Sequence, residues 1–132
     1  MLYIKASNNS PKIVIDFSQI LFEISGDTFL DEPLTFYQPV FQYIYSNFYQ
    51  VKDSIYQRGN PSLTLHFYLR YIGLQDIEMI RQIDWIFFDI QEFTTFIYWY
   101  YNPENHESFE QANDVKNTFL NHVRLIPNSV DV

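Results

Sequence analysis

Residues 62–72 read Ser-Leu-Thr-Leu-His-Phe-Tyr-Leu-Arg-Tyr-Ile. Large apolar residues occupy the odd positions from 63 to 69, and polar or aromatic residues occupy the even positions from 64 to 70. This period of two is typical of a β-strand with one face on a core and the other partly in water. The residues predicted to be buried are Leu63, Leu65, Phe67 and Leu69.

Helical patterns stand on both sides of this strand, over 33–56 and 74–92, with apolar residues three and four positions apart. The other predicted elements are strands at 2–4, 12–19, 20–25, 94–101 and 124–130 and a helix at 107–121. Alternation of strands and helices indicates an α/β sheet with parallel crossovers. Because the strands are apolar on one side only, we predict a two-layer sandwich, a mixed β-sheet with helices mainly on one face.

Composition excludes several classes of protein. The length of 132 residues predicts a single domain, 1–132, and the net charge of -8 argues against nucleic acid as a partner. The absence of Cys excludes thiol chemistry and thiolate metal sites. No apolar run is long enough for a signal peptide or a membrane span, so we expect a cytoplasmic protein that does not bind membranes.

The sequence shows no pattern typical of catalysis. His66, His106 and His122 lack metal-ligand spacing, and three Gly are too few for a phosphate-binding loop. The acidic residues at 27, 31 and 32 precede a helix, where capping and compensation of the helix dipole are the ordinary roles. We therefore expect neither an enzyme nor a bound cofactor or metal.

A second apolar stripe in the 74–92 helix has two interpretations. Met79, Ile86 and Phe93 are spaced by seven residues, beside the helix's own core stripe. They either pack inside the molecule, which is the usual outcome, or form a surface for a partner.

Three stretches, taken in order, resemble a known family. Gly26–Glu32 stands where that family has Gly-x-Ser-aromatic-Pro-Glu-Asn, Phe67–Gly73 where it has an apolar strand running into Asn-Thr-Ser-Ser, and Trp99–Glu104 where it has Trp-x-Tyr and an acidic turn. Over about residues 12 to 125 the chain is similar to the SiaC family of bacterial regulatory phosphoproteins. The resemblance implies a fold like the STAS domains of anti-sigma-factor antagonists.

The resemblance also implies a partner switch. A SiaC-like protein is phosphorylated on the Thr of Asn-Thr-Ser-Ser by a kinase and dephosphorylated by a phosphatase, and its unphosphorylated form activates a diguanylate cyclase. In this chain the phosphoacceptor falls on Tyr71, the Asn on Arg70 and the Ser pair on Ile72 and Gly73. No Ser or Thr remains in that loop, so we expect the fold to be kept and the Thr switch to be lost.

The sequence thus predicts a non-enzymatic protein–protein interaction module of bacterial signalling. Candidate surfaces are the Arg70–Gly73 loop, the turn carrying Thr28, Asp31 and Glu32, and the stripe of Met79, Ile86 and Phe93. The alternative is a small-molecule-binding domain whose surplus aromatic residues line a pocket. A self-associating structural protein is a third interpretation.

Overall fold

The fold is built on one six-stranded sheet whose strands lie side by side in chain order. The computed structural model describes residues 1–59, 62–90, 92–119 and 123–128, with the side chains of Tyr71, Asp89 and Ile90 left aside. Antiparallel pairing joins the first three strands, and parallel pairing joins the third to the sixth. The strands are β1 (Leu2–Ile4), β2 (Lys12–Asp16), β3 (Leu21–Asp27), β4 (Ser62–Tyr71), β5 (Thr94–Tyr101) and β6 (Val123–Pro127).

A helix lies in each parallel crossover. These are α1 (Pro33–Gln57), α2 (Leu74–Trp85), which continues as a π-helical turn over Ile86–Ile90, and α3 (His106–Phe119). The strand order advances in one direction, and crossovers between parallel strands are right-handed, so all three helices fall on the same face. The predicted two-layer α/β sandwich with a mixed sheet is confirmed.

The core lies between this helical layer and the sheet. All four residues predicted for the inner face of β4 are buried, from Leu63 to Leu69. Large rings fill much of the space above them. Phe48 of α1 meets Phe87 edge to face at 4.9 Å between centroids, and Phe67 stacks on Trp99 of the next strand at 5.7 Å. Such edge-to-face and offset pairs are favourable arrangements of aromatic rings.

Two features of the fold differ from the predictions. The strand expected over 12–19 ends at Asp16, whose carboxylate accepts the Ser18 N–H and starts a single 3-10 turn. Leu34, which belongs to the predicted core stripe of α1, is 58% exposed because it stands in the first turn, at the end of the sheet. The predicted positions 120, 121, 129 and 130 lie outside the described residues.

Within the described part of the chain, no helix combines the length and the apolar character that crossing a membrane requires.

Candidate functional site

Two of the three predicted surfaces meet at one edge of the sheet. β3 and β4 are parallel neighbours, so they end at the same edge, with Asp27 paired to Tyr71. The turn carrying Thr28, Asp31 and Glu32 follows β3 and leads into α1, and the end of the Arg70–Gly73 loop leads into α2. The first turns of both helices therefore stand beside each other at this edge.

The backbone at the end of β3 depends on a glycine. Gly26 has a φ of 115°, which L side chains rarely adopt, and the β3–β4 register shifts between Gly26 and Asp27. Beyond the shift, Arg70 donates two hydrogen bonds to Asp27, from Nε to Oδ1 and from Nη2 to Oδ2, both 2.9 Å long. This bidentate pair ties the two loops together and neutralises the only basic side chain of the 70–73 segment.

Asp76 links the same two loops from the side of α2. Its Oδ2 accepts the Gly73 N–H at 3.1 Å, and its own N–H donates to the Gly73 carbonyl at 3.1 Å, so the carboxylate caps the helix. The Thr28 hydroxyl also hydrogen-bonds this carboxylate. Burial raises the pKa of Asp76, and the bonds from Gly73 and Thr28 oppose that rise.

Two polar atoms in this region are buried without a hydrogen-bond partner among the described residues. They are Oδ1 of Asp76 and the hydroxyl of Tyr37 in α1. Burial, followed by the nearby charge of Asp76, raises the pKa of Tyr37 far above its ordinary value. Unpaired buried polar atoms are rare in folded proteins, so each of these two calls for an explanation.

Two adjoining cavities open beside these groups. The first, of about 320 Å³, lies between residues 28–30 and residues 73–76 and includes Asp76 in its lining. The second, of about 360 Å³, lies between residues 31–35 and Gln75, Glu78 and Met79. Both are lined by Pro33 and Gln75, and the two neighbouring cavities between the starts of α1 and α2 are here together called the edge groove.

The edge groove combines acidic groups with exposed apolar side chains. Asp31, Glu32 and Glu78 are exposed along it, and Glu78 lies 3.7 Å from its helical neighbour Arg81. Glu32 is the N-cap residue of α1, but its side chain makes no capping bond, contrary to the capping role expected from the sequence. The large apolar residues exposed at the groove are Phe29 (55%), Leu34 (58%) and Leu74 (86%).

The third predicted surface is largely in the core. Met79 is half-buried at the edge groove, but Ile86 is 3% exposed and Phe93 is 1% exposed. The spacing of seven assumed an uninterrupted α-helix to residue 92, whereas a π-helical turn follows Trp85 and changes the phase of the helix. Phe93 lies beyond that turn and packs edge to face on Phe48. Of the two interpretations of the stripe, intramolecular packing is the outcome for Ile86 and Phe93, and Met79 stays a candidate for partner contact.

The face of the sheet opposite the helices carries an aromatic cluster that the sequence analysis did not assign. The rings of Tyr68 and Tyr100 stack at 3.9 Å, and the Tyr100 hydroxyl lies 2.8 Å from Nδ1 of His66. Burial lowers the pKa of His66, and nearby Glu23 opposes the shift. Pairing β4 with β5 sets His66 opposite Tyr98, a neighbour relation that no single strand reveals. These rings lie on the sheet face away from the helical layer, outside the two cavities of the edge groove.

Within the described residues, no three His, Asp or Glu side chains are grouped in a way that could hold a metal ion. The arrangement at the sheet edge offers instead an open groove, a capped helix start and a carboxylate oxygen without a donor.

A mixed sheet covered on one face by three helices, with an open groove at its edge, is the architecture of a small two-layer α/β domain. Residues 4–128 match the family model of SiaC family regulatory phosphoproteins, and the chain belongs to that family. No curated protein sequence matches the chain.

Solved structures share the fold at low sequence identity. A chain of the crystal structure of the diguanylate cyclase SiaD in complex with its activator SiaC, from Pseudomonas aeruginosa, is 15% identical with a TM-score of 0.72, over 97% of this chain and 100% of that one. Apo-SiaC from the same organism is 16% identical with a TM-score of 0.69, over 94% of this chain and 96% of that one. The fold predicted from the resemblance is confirmed.

Proposed function

We propose that this protein is a non-catalytic regulator that binds a protein partner through the edge where β3 and β4 end, with a diguanylate cyclase as the first candidate partner. The observation that carries the proposal is the pair of adjoining cavities between the first turns of α1 and α2. Membership in a family of regulatory phosphoproteins supports a regulatory role. The candidate partner comes from the fold neighbour that is described as an activator in complex with such a cyclase.

The groove supports a macromolecular partner better than the small-molecule alternative. Pockets for small ligands enclose most of the ligand and are lined mainly by apolar and aromatic groups. Among residues 28–35 and 73–79, which form the edge groove, Phe29 is the one aromatic residue in the lining. The three large apolar side chains exposed here would be covered by a docked protein surface, as at protein–protein interfaces.

The 70–73 loop supports a regulator that does not depend on a phosphorylated Ser or Thr in that loop. Arg70 is held by Asp27, and the start of α2 is capped by Asp76, which supplies a carboxylate next to Gly73. A phosphate at this loop would add about -1.5 to -2 charge close to that carboxylate. Partner binding would then be constitutive, or controlled elsewhere in the chain.

A cyclase assay tests the proposal. The purified chain is titrated into a diguanylate cyclase from the same organism, and product formation and complex formation are followed together. We expect saturable binding and a change in cyclase rate. Leu74→Asp, which puts a charge on the most exposed apolar residue of the groove, should weaken both effects, whereas Phe109→Asp, at an exposed ring of α3, should leave them unchanged. Equal behaviour of the two variants would contradict the proposed surface.

A further inference from the structure

We propose that the edge groove docks a basic amphipathic segment of the partner protein, with an Arg directed at Asp76 and large apolar side chains laid on Phe29, Leu34 and Leu74. The inference rests on the proposed function, because it names the chemistry of the partner at that site.

Charge complementarity supplies the first step. Asp31, Glu32 and Glu78 line the second cavity, and Asp76 lines the first. Two basic side chains in this region already have acidic partners, since Arg70 pairs with Asp27 and Arg81 lies 3.7 Å from Glu78. The whole chain carries a net charge of -8, so its field also favours a cationic partner. An acidic or neutral segment would leave these carboxylates desolvated without compensation.

Asp76 supplies an independent second step. It is 4% exposed, it lines the first cavity, and its Oδ1 has no donor among the described residues. Gly73 donates to its Oδ2 and the Thr28 hydroxyl also bonds the carboxylate, yet Oδ1 is buried without a donor in the part of the chain that the structure describes. A guanidinium carries five N–H donors and tolerates partial burial better than an ammonium, which favours Arg over Lys. A cation placed there would also offset the burial that raises the pKa of Asp76.

The apolar part of the groove supplies the third step. Phe29 and Leu74 flank the first cavity, and Leu34 and Met79 flank the second. A segment with basic residues alone would not cover these side chains, and an apolar segment alone would not satisfy the carboxylates. An amphipathic segment, with both kinds of side chain on one face, does both.

Selection from a displayed library of random dodecapeptides tests the inference without reference to any cyclase. The full chain is the immobilised target. We expect enriched peptides that combine Arg with Leu, Ile or Phe, and whose affinity falls at high salt because screening weakens the ionic contacts. Peptides without a net positive charge, or no enrichment at all, would overturn the inference.

A matched pair of variants locates the binding. Asp31→Asn with Glu32→Gln removes two exposed charges from the groove, and the dissociation constant of an enriched peptide should rise about fivefold or more. Asp53→Asn with Asp114→Asn removes the same charge from exposed positions of α1 and α3. Asp53 stands about 27 Å along α1 from the groove at 1.5 Å per residue. This control should bind as the parent does, and equal weakening in both variants would reduce the effect to net charge and overturn the site.

The same variants separate this inference from the proposed function. A cyclase that responds equally to the parent and to the Asp31→Asn, Glu32→Gln variant would leave the regulatory role standing and overturn the basic segment. Enriched basic peptides together with an unresponsive cyclase would keep the groove and overturn the cyclase as partner. A parent chain that dimerises, and becomes monomeric on Leu74→Asp, would assign the groove to a second copy and also overturn the inference.

Discussion

Both ends of α2 carry large apolar residues, and the two ends differ in which of these side chains are exposed. At its N-terminal end Leu74 is exposed, and Asp76 ties the helix to Thr28 and Gly73 while one of its oxygens stays unpaired. At the other end Ile86 and Phe87 are buried, whereas Trp85 and Phe88 beside them are exposed. Apolar spacing along a helix therefore does not tell which apolar residues a partner could reach. That depends on what α1 and the sheet place against each turn.

A negative charge introduced at each end of α2 should give the largest difference in stability between the two ends. Ile86→Asp places an unpaired carboxylate in the core and should lower the free energy of unfolding by about 3 kcal/mol or more, enough to unfold a marginal domain. Leu74→Asp adds the same charge to the exposed first turn of α2, where it favours the helix dipole, and should change stability by less than about 1 kcal/mol. Urea unfolding of both variants measures the difference, and a stable Ile86→Asp protein would return that residue to the list of surface candidates.

Thr28→Val tests whether the N-terminal end of α2 is held by polar contacts. The substitution keeps the shape of the buried side chain but removes the hydroxyl that bonds Asp76. A buried carboxylate that loses one donor should cost about 1–3 kcal/mol of stability at neutral pH. Thr28→Ser keeps the hydroxyl and serves as the control. Stability lost in Thr28→Ser but kept in Thr28→Val would mean that the methyl group, not the hydrogen bond, matters at this position.

The pH dependence of stability, compared between the parent and Asp76→Asn, tests the environment of the Asp76 carboxylate. Burial raises the folded-state pKa of Asp76 above its ordinary value of 3.8. At pH values between the ordinary pKa and the raised folded-state pKa, the folded chain therefore binds more protons than the unfolded chain. This residue's contribution to stability therefore falls as pH rises through that window. Asp76→Asn lacks the titration, so the parent should lose stability relative to the variant as pH rises from about 4 toward neutral.

Denaturant unfolding of both proteins across this range checks the prediction. Contributions that the two share, including His66 and Asp16, cancel in the difference. A difference that stays constant with pH, or that grows in the parent's favour, would show that the folded state does not disfavour the ionised carboxylate.

The smallest effect is expected at the 70–73 loop. A Ser/Thr kinase of the type that acts on SiaC-like proteins should leave Arg70, Tyr71, Ile72 and Gly73 unmodified, because the loop contains no Ser or Thr. Peptide mass spectrometry after incubation with such a kinase is the measurement. Phosphate on Tyr71 would show that a switch survives at this edge, and would place it within the region proposed to bind the partner.

Some of these features follow from local sequence. The alternation of apolar and polar residues in 62–72 predicted the inner face of β4. The helical spacing of apolar residues on both sides of that strand predicted α1 and most of α2. Pro33 and Gly73 mark helix starts in the sequence because Pro lacks the N–H that a first turn does not need, and Gly adapts readily at a helix boundary. The prediction of helices on one face also followed from β4, since its outer residues are too polar for a sheet covered on both sides.

Other features could not be read from the chain in one dimension. The sequence does not indicate the π-helical turn that follows Trp85 and precedes Phe93, nor that Ile86 and Phe93 are both buried in the core. The edge groove joins residues 28–35 to residues 73–79, which are far apart in sequence and become neighbours because β3 and β4 pair in parallel. The sequence shows the acidic residues at 31 and 32, but it does not show that they lack a capping role.

The sequence by itself determined the period of each element, the one-sided burial of the sheet and the absence of Ser and Thr from residues 70–73, because these depend on residue type and local spacing. The tertiary structure alone decided which apolar side chains stay exposed, which oxygen of Asp76 lacks a donor, and that the two loops form one groove. Burial and hydrogen-bond satisfaction are set by neighbours brought together from distant parts of the chain, and local pattern contains no record of those neighbours.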